Sequence, residues 1–466
     1  MKRLMQWMMA AILICGLSMM TSCGDKDNPA KSADRNQDRQ EFEAALSRAL
    51  EETSTDVRLD VAKGMFENLA AIVSAMDDEA LNQMKLTMTA NVLSKAQNYF
   101  FDEMDADELE VARKCMIERF NMTDEDFNDI PGYLLLNAYD ALGHLKVTFQ
   151  NGESTLSESE NFVVENIDKD GHSTSLTIKF CDEHDGVRFF VTRMADITPI
   201  CINFPKQVEV VLKTADGKEV EGILSMNSDS PFQYISLKHD EWHFDMSFDS
   251  DLTGRHDYYM VAVEHLADGV MNIGISMMYD GEDQFSLSMK DARDINLNVG
   301  KVININPQST FTDLLGIIEG GVVDEFHAML NNELVIKGKI NNLTGFLNAF
   351  YKANNMPESD HGFDQVDIYT QQFNESVDLS IGLKDRETSA RASYITSRPT
   401  PDDDYLPCVA LQFAGEPKPL TIFERMSQQD LDNYIETKAK VYAIINEAKA
   451  LHGIIREKIE AVKTYY

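Results

Sequence analysis

The chain has 466 residues, 43% of them hydrophobic, and its 78 Asp+Glu outnumber 42 Lys+Arg to give a formal net charge of −36. That surplus argues against nucleic acid as a partner, because binding a polyanion works by displacing its counterions with a basic surface. The apolar share rules out a disordered or fibrous chain and supplies a sizeable core.

Lys2 and Arg3 open the chain, an apolar stretch runs from Met8 to Leu17, and Thr21-Ser22-Cys23-Gly24 follows. A charged start, a short apolar segment and a small-residue end make a secretory signal, and the stretch is too short to span a membrane comfortably. Thr21 to Gly24 resembles the lipobox of bacterial lipoproteins, with Met20 where that family usually has Leu. The resemblance implies that residues 1–22 are a signal peptide and that Cys23 becomes the lipidation site, acylated on its thiol and new amino group. Residues 23–40 contain no large apolar side chain and read as a flexible acylated tether. Asp25 and Asp27, close behind the cysteine, resemble the surface-export signals of Bacteroidota lipoproteins. This likeness covers about the first thirty residues. It implies attachment to the outer membrane through the acyl chains, on either its periplasmic or its surface face.

The mature chain reads as an α+β protein: N-terminal helices, an antiparallel β-sheet built from hairpins with one face covered by helices, and a long C-terminal helix. Residues 41–145 form the helical region, with Val57, Val61, Met65, Leu69, Ile72 and Met76 at helical spacing. Asp105 and Thr123 are predicted to cap later helices. From Asn151-Gly152 the pattern changes, and residues 146–308 read as antiparallel β. Asp170-Gly171, Asp185-Gly186, Asp216-Gly217, Asp268-Gly269 and Asp280-Gly281 tolerate the positive φ of tight turns. Trp242, Phe244, Met246 and Phe248 alternate with His243, Asp245, Ser247 and Asp249, as in a strand with one buried and one wet face. Residues 309–365 read as a helical insertion with one short strand at Leu334-Val335-Ile336, and residues 366–416 as β-hairpins, with Val377, Leu379, Ile381 and Leu383 on one side. Residues 417–466 read as a C-terminal helix packing on the core, its apolar side running from Ile435 through Ile445 and Leu451 to Val462. No segment after the signal approaches the roughly 18 apolar residues of a membrane helix.

Candidate chemistry is sparse. His239-Asp240-Glu241-Trp242-His243 comes close to the zinc-protease motif HExxH, but its Glu is one place late and would swing about 100° away on a helix. A surface turn is the reading adopted for it. Asn166-Ile167-Asp168-Lys169-Asp170-Gly171 resembles the first half of an EF-hand, making Asn166, Asp168 and Asp170 a weak calcium candidate. Thr177 stands where the closing bidentate Glu belongs, so a polar hairpin loop is expected instead. Cys115, Cys181, Cys201 and Cys408 lack metal-site spacing and read as buried free thiols, with Cys181 and Cys201 the nearest pair should a disulfide form. No nucleophile elbow, P-loop or dinucleotide fingerprint is present. No catalytic residue, metal or cofactor is assigned.

These features point to an envelope-anchored lipoprotein, non-catalytic, that binds an unknown partner or serves a structural role. The alternative is a carrier of an apolar ligand held between a curved sheet and a helix, which resembles in outline the lipoprotein-carrier folds of the bacterial envelope. A glycan-active hydrolase is the third reading. Only 2 Trp, one of them Trp7 in the signal, leave little for sugar stacking.

Overall fold

Alternating strands and amphipathic helices assemble into an α+β protein. The computed structural model describes residues 34–463, except 76–77, 79–80, 83–85, 87–89, 91–93, 151–152, 182–184, 195–197, 231, 251–256, 267, 280–281, 298–316, 355–361, 385–388 and 399–403. The signal, Cys23 and most of the tether thus lie outside the described residues, as do Asn151-Gly152 and Asp280-Gly281.

Along the chain, α1 (Asp34–Ser54) buries Phe42, Ala45, Leu46, Ala49 and Leu50, a stripe at steps of three and four. In α2 (Val57–Ala75) Leu69 is half-buried, while the side chains of Val57, Val61, Met65 and Ile72 lie outside the described ones. The region read as wholly helical contains two strands, β1 (Gln97–Phe100) and β2 (Gly132–Asn137). Between them stand α3 (Ala106–Phe120) and α4 (Asp124–Asn128). Asp105 caps α3 by accepting from the Asp107 and Glu108 N–H groups, and Thr123 forms a capping box with Asp126 at α4. After α5 (Ala138–Leu142) come β3 (Leu145–Gln150), β4 (Glu153–Glu158), β5 (Phe162–Ile167), β6 (Ser173–Phe180), β7 (Gly186–Met194) and β8 (Thr198–Pro205). Next are β9 (Gln207–Lys213), β10 (Glu219–Ser228), β11 (Trp242–Ser250), β12 (Asp257–His265), β13 (Met271–Tyr279) and β14 (Glu282–Leu297). Gly171, Gly217 and Gly269 take φ of 86°, 84° and 81°, which fits the Asp-Gly turns, whereas Gly186 opens β7.

The segment 309–365 departs from its helical reading. Its described part is β15 (Ile318–Leu330), β16 (Leu334–Ile340) and only then α6 (Leu343–Asn354). The register of β15 on β16 slips between Val323 and Phe326. A bulge inserts one residue into a strand, so two inward side chains fall three apart and imitate a helical step. The start of the predicted hairpin region is also corrected, since α7 (Phe363–Ser376) precedes β17 (Val377–Leu383), β18 (Ser389–Ser397) and β19 (Leu406–Gln412). In place of a helix from Leu420 there are β20 (Leu420–Thr421), α8 (Ile422–Arg425) and α9 (Gln428–Lys463).

Two compact units emerge: residues 1–66, 270–296 and 314–449 in the first, and 67–269, 297–313 and 450–466 in the second. In the first unit β13 to β20 lie side by side in chain order. Val377, Leu379 and Ile381 are buried as the alternation predicts. Four consecutive residues of β19, Cys408 to Leu411, are buried, so this strand is covered on both faces. Phe373 of α7 stacks on Tyr394 at 4.5 Å, and Asn374 bonds both the carbonyl and the N–H of Tyr394. Phe42 of α1 meets Phe413 at 5.4 Å. The face that α9 buries in this unit is Asp430, Asn433, Thr437 and Val441, while Ile435 is 50% exposed, which corrects the predicted stripe. Asp430 is held there because its carboxylate accepts from Ser47 at 2.5 Å and Ser427 at 2.7 Å.

The second unit carries two sheets. The smaller has the order β1-β2-β8-β7, with β2 and β8 parallel, and packs against α3 and α4. In the larger, β12, β11, β10, β9, β6, β5, β3 and β4 neighbour one another in that order, with β3 and β5 parallel.

Candidate functional site

The larger sheet of the second unit presents a continuous apolar face. Directly paired residues share a face, and the register aligns Val147 with Val164, Val164 with Leu176, Leu176 with Leu212, and Leu212 with Val220. On the same side Val208 meets Leu224, Leu224 meets Met246, Met246 meets Val261, and Phe244 meets Val263. The Phe248 ring lies over Gly222, where a side chain would collide with it. Val147, Phe149, Val208, Val220 and Met246 are buried, but Leu176, Ile178, Val210, Leu212, Leu224, Met226, Phe244, Phe248, Val261 and Val263 are only half-buried. Each Å² of apolar surface left wet forgoes about 25 cal/mol.

At the β3–β4 end this face leads to an open cavity of about 880 Å³ between helical residues Ala90 and Ser94 and strand residues Leu145 and Leu156. Lys95, His144 and Glu158 line it as well. The Lys95 ammonium donates to the Asp140 carbonyl at 2.7 Å. Leu81 packs on Val147 and Phe149, and Leu156 is 37% exposed. The end of α9 is fixed in this unit by Lys458, 2.8 Å from Asp78, and by buried Leu451.

A second constellation sits in the smaller sheet. The Tyr133 and Tyr234 hydroxyls bond each other in the core, and Tyr234 and Arg188 both reach Glu108 Oε1, at 3.2 and 3.4 Å. The Arg188 guanidinium lies over the Tyr234 ring at 5.2 Å and the Tyr99 ring at 5.8 Å. Burial raises both phenols well above the usual tyrosine range, so they are neutral donors. Burial works against the Arg188 charge, but the tyrosines more than offset it and the guanidinium stays cationic. The cluster ties α3 to β2 and β7 and offers no activated nucleophile. Burial also raises the neighbouring Cys201 thiol and pushes that of Cys115 up to about 12. All four described cysteines are free; Cys115, Cys201 and Cys408 are buried, while Cys181 is exposed, against its expected burial.

The calcium candidate is not brought together as drawn. Asn166 sits in β5 opposite Thr174, whereas Asp168, Asp170 and His172 converge within 4.8 Å, all exposed. Asp168 already accepts from the Asp170 and His172 N–H groups at 2.9 and 2.8 Å, which closes the turn. His239 lies in a turn, and His243 in β11 faces Asn227 and Asp245, so the near-HExxH stretch spans a turn and a strand. Trp242 stacks on His265 at 5.6 Å and donates to the Leu237 carbonyl, which occupies its indole within the fold.

The alternation of β11 was legible as an apolar face, but its extent over neighbouring strands required the register. Nothing in the sequence marked Ala90, His144 and Leu156 as cavity neighbours. Comparison of the chain with protein families, curated proteins and solved structures finds no match.

Proposed function

We propose that this chain is an outer-membrane lipoprotein, held by acyl chains on Cys23, whose mature part binds without catalysis and takes up an apolar ligand or apolar partner segment. The observation that carries the binding role is the half-buried apolar face of the second unit with the 880 Å³ cavity at its end. Pockets of this size hold small organic ligands, and an apolar lining with a few polar groups at one side is their usual chemistry. In this reading the sheet is a set of hairpins whose apolar face lies under helical cover, loosely enough to admit a guest. The anchoring role rests on Lys2, Arg3, the apolar stretch and Thr21-Ser22-Cys23-Gly24.

Two measurements test the two halves separately. Cells grown with a fatty-acid analogue should label the wild-type chain and not Cys23→Ser, and equal label would remove the anchor from the reading. Organic extraction of the purified full chain, followed by mass spectrometry, should release a bound apolar compound. Phe244→Asp together with Leu224→Asp should abolish that release, and melting curves of the variant establish that it still folds. A chain that releases nothing, and whose melting temperature responds to no added fatty acid, would refute the carrier role and leave anchoring untouched.

A further inference from the structure

Strand β4 ends the larger sheet of the second unit: among the described residues β3 is its only strand neighbour. In a ladder every second residue turns its N–H and carbonyl away from the strand already paired, so three of the six residues of β4 present these groups to an open edge. Folds blunt such edges with Lys, Pro or a bulge. β4 contains neither Lys nor Pro, and its register on β3 runs unbroken from Glu153 to Glu158. Five of its six residues are exposed, and among the described residues no backbone group outside the sheet bonds to it. Directly paired residues share a face, so Leu156 opposite Val147 and Glu158 opposite Leu145 stand on the apolar side, where both line the cavity of about 880 Å³. A free strand edge with a side-chain cavity beside it is the arrangement by which sheets accept an added strand, the main chain supplying affinity and the cavity specificity.

We propose that this edge binds an extended basic segment of a partner protein as an added antiparallel strand. The proposal deepens the partner-segment form of the binding role given above and rests on it for the cavity. Antiparallel pairing is the more stable per residue. Charge selects the partner: Glu153 and Glu158 end the strand, exposed Glu160 follows, and the chain as a whole carries −36, a field that draws in cations. A second copy of this chain does not fit, because antiparallel register would set Glu153 against Glu158 twice, and like charges directly opposite repel. The register also specifies the occupant, read from its N-terminal end. A cation stands opposite Glu158, an apolar residue two places later opposite Leu156 with its side chain toward the cavity, and a second cation three places further opposite Glu153. Six residues at about 3.4 Å each span about 20 Å, the length of β4.

The probe is the hexapeptide RTFTTR, with a fluorophore on its N-terminus and an amide at its C-terminus, titrated by anisotropy against the full chain in nanodiscs of phosphatidylcholine, a lipid without net charge. Saturable binding is expected at about 1 mM or below. The matching ETFTTE should bind about tenfold more weakly or worse, since both charge pairs change sign. RTSTTR, which leaves the cavity unfilled, should lose about tenfold as well. In the variant with Glu153→Lys and Glu158→Lys, both at exposed positions, the preference between RTFTTR and ETFTTE should reverse. Of two RTFTTR peptides N-methylated on alternate residues, only one should bind, because an added strand turns half of its N–H groups to β4. Melting curves verify that the variant folds, and if it does not, the N-methylated pair decides alone. Absence of RTFTTR binding, equal binding of the two charge types, an unreversed preference in the variant, or equal binding of the two N-methylated peptides would overturn the proposal. A melting temperature raised by fatty acid, with no binding of RTFTTR, would overturn it and leave the carrier role standing. Specific RTFTTR binding by a chain that releases no apolar compound would support strand addition and refute only the carrier role.

Discussion

Arg425 is the side chain whose loss the first unit should feel most. It is 1% exposed, donates to Glu416 at 2.5 and 3.0 Å and to the Leu411 carbonyl at 2.7 Å, reaches Glu43 at 3.3 Å, and lies over the Phe413 ring at 4.9 Å. Arg425→Met fills the volume but leaves Glu416, 13% exposed, with only the more distant Arg39, 3.9 Å away, as counter-charge. Removing one member of a buried pair costs about 3–5 kcal/mol. That is a large part of the roughly 5–15 kcal/mol by which domains are stable. Arg425→Lys keeps the charge, but one ammonium cannot reproduce the planar fork to Glu416 and the Leu411 carbonyl, so about 1–3 kcal/mol should be lost. Adding Glu416→Gln to Arg425→Met should recover part of the loss. Burial pushes the Glu416 carboxyl up, but Arg425 and the Phe413 N–H outweigh it and hold the group below the usual range. A depressed carboxyl contributes stability that is present above its unfolded pKa, near 4.3, and lost as pH falls through the folded value. The gap between wild type and Arg425→Met should therefore narrow on acidification. Urea titrations followed by circular dichroism at neutral and mildly acidic pH measure it. A loss below about 1 kcal/mol, the range of ordinary substitutions, or a gap that widens in acid would refute the account.

Three further outcomes follow from burial. Leu451→Asp places an unpaired charge at a 3% exposed site and should lower the melting temperature sharply, whereas Ile435→Asp, at a 50% exposed site on the same helix, should change stability by about 0.5 kcal/mol or less; equal effects would show that α9 is not docked through the face described. Added Ca²⁺ should leave the melting temperature of wild type and Asp168→Ala alike, because Asp168 already serves its own turn, and a calcium-dependent rise lost in the variant would restore the EF-hand reading. Tyr133 and Tyr234 should stay protonated well above pH ~10, the ordinary tyrosine value. Their raised pKa means that the stability they contribute is complete below that value and drains away as pH rises through the folded one; an ultraviolet titration of wild type against Tyr234→Phe that shows both phenols ionising at the usual pH would contradict the buried pair.

The sequence was most readable where local chemistry decides structure. Asp105 and Thr123 mark helix starts because their side chains answer orphan N–H groups two or three residues on. Gly171 and Gly217 mark turns because only such positions take positive φ at low cost. The reading failed where a long-range partner set the outcome. The Val323–Phe326 bulge gives β15 a helix-like spacing that only its pairing with β16 explains. The face α9 buries includes Asp430 and Asn433 because Ser47, far away in sequence, supplies a donor there; a hydrophobicity stripe cannot register such a contact and points to Ile435 instead.

The same division bears on function. A strand such as β11 declares its apolar side, yet whether that side is sealed depends on what lies over it. In the first unit four consecutive residues of β19 are buried and α7 stacks an aromatic ring on Tyr394, so apolar surface there is spent on folding. In the second unit Val208, Val220 and Met246 are buried, but most of the apolar residues on the same face of β6, β9, β10, β11 and β12 stop at half-burial. Side chains that keep part of their apolar surface wet forgo about 25 cal/mol for each Å², and a guest that completes the burial would collect that energy as affinity. The contrast between two sheets of one chain, rather than any motif, is what supports the binding role proposed for the second unit.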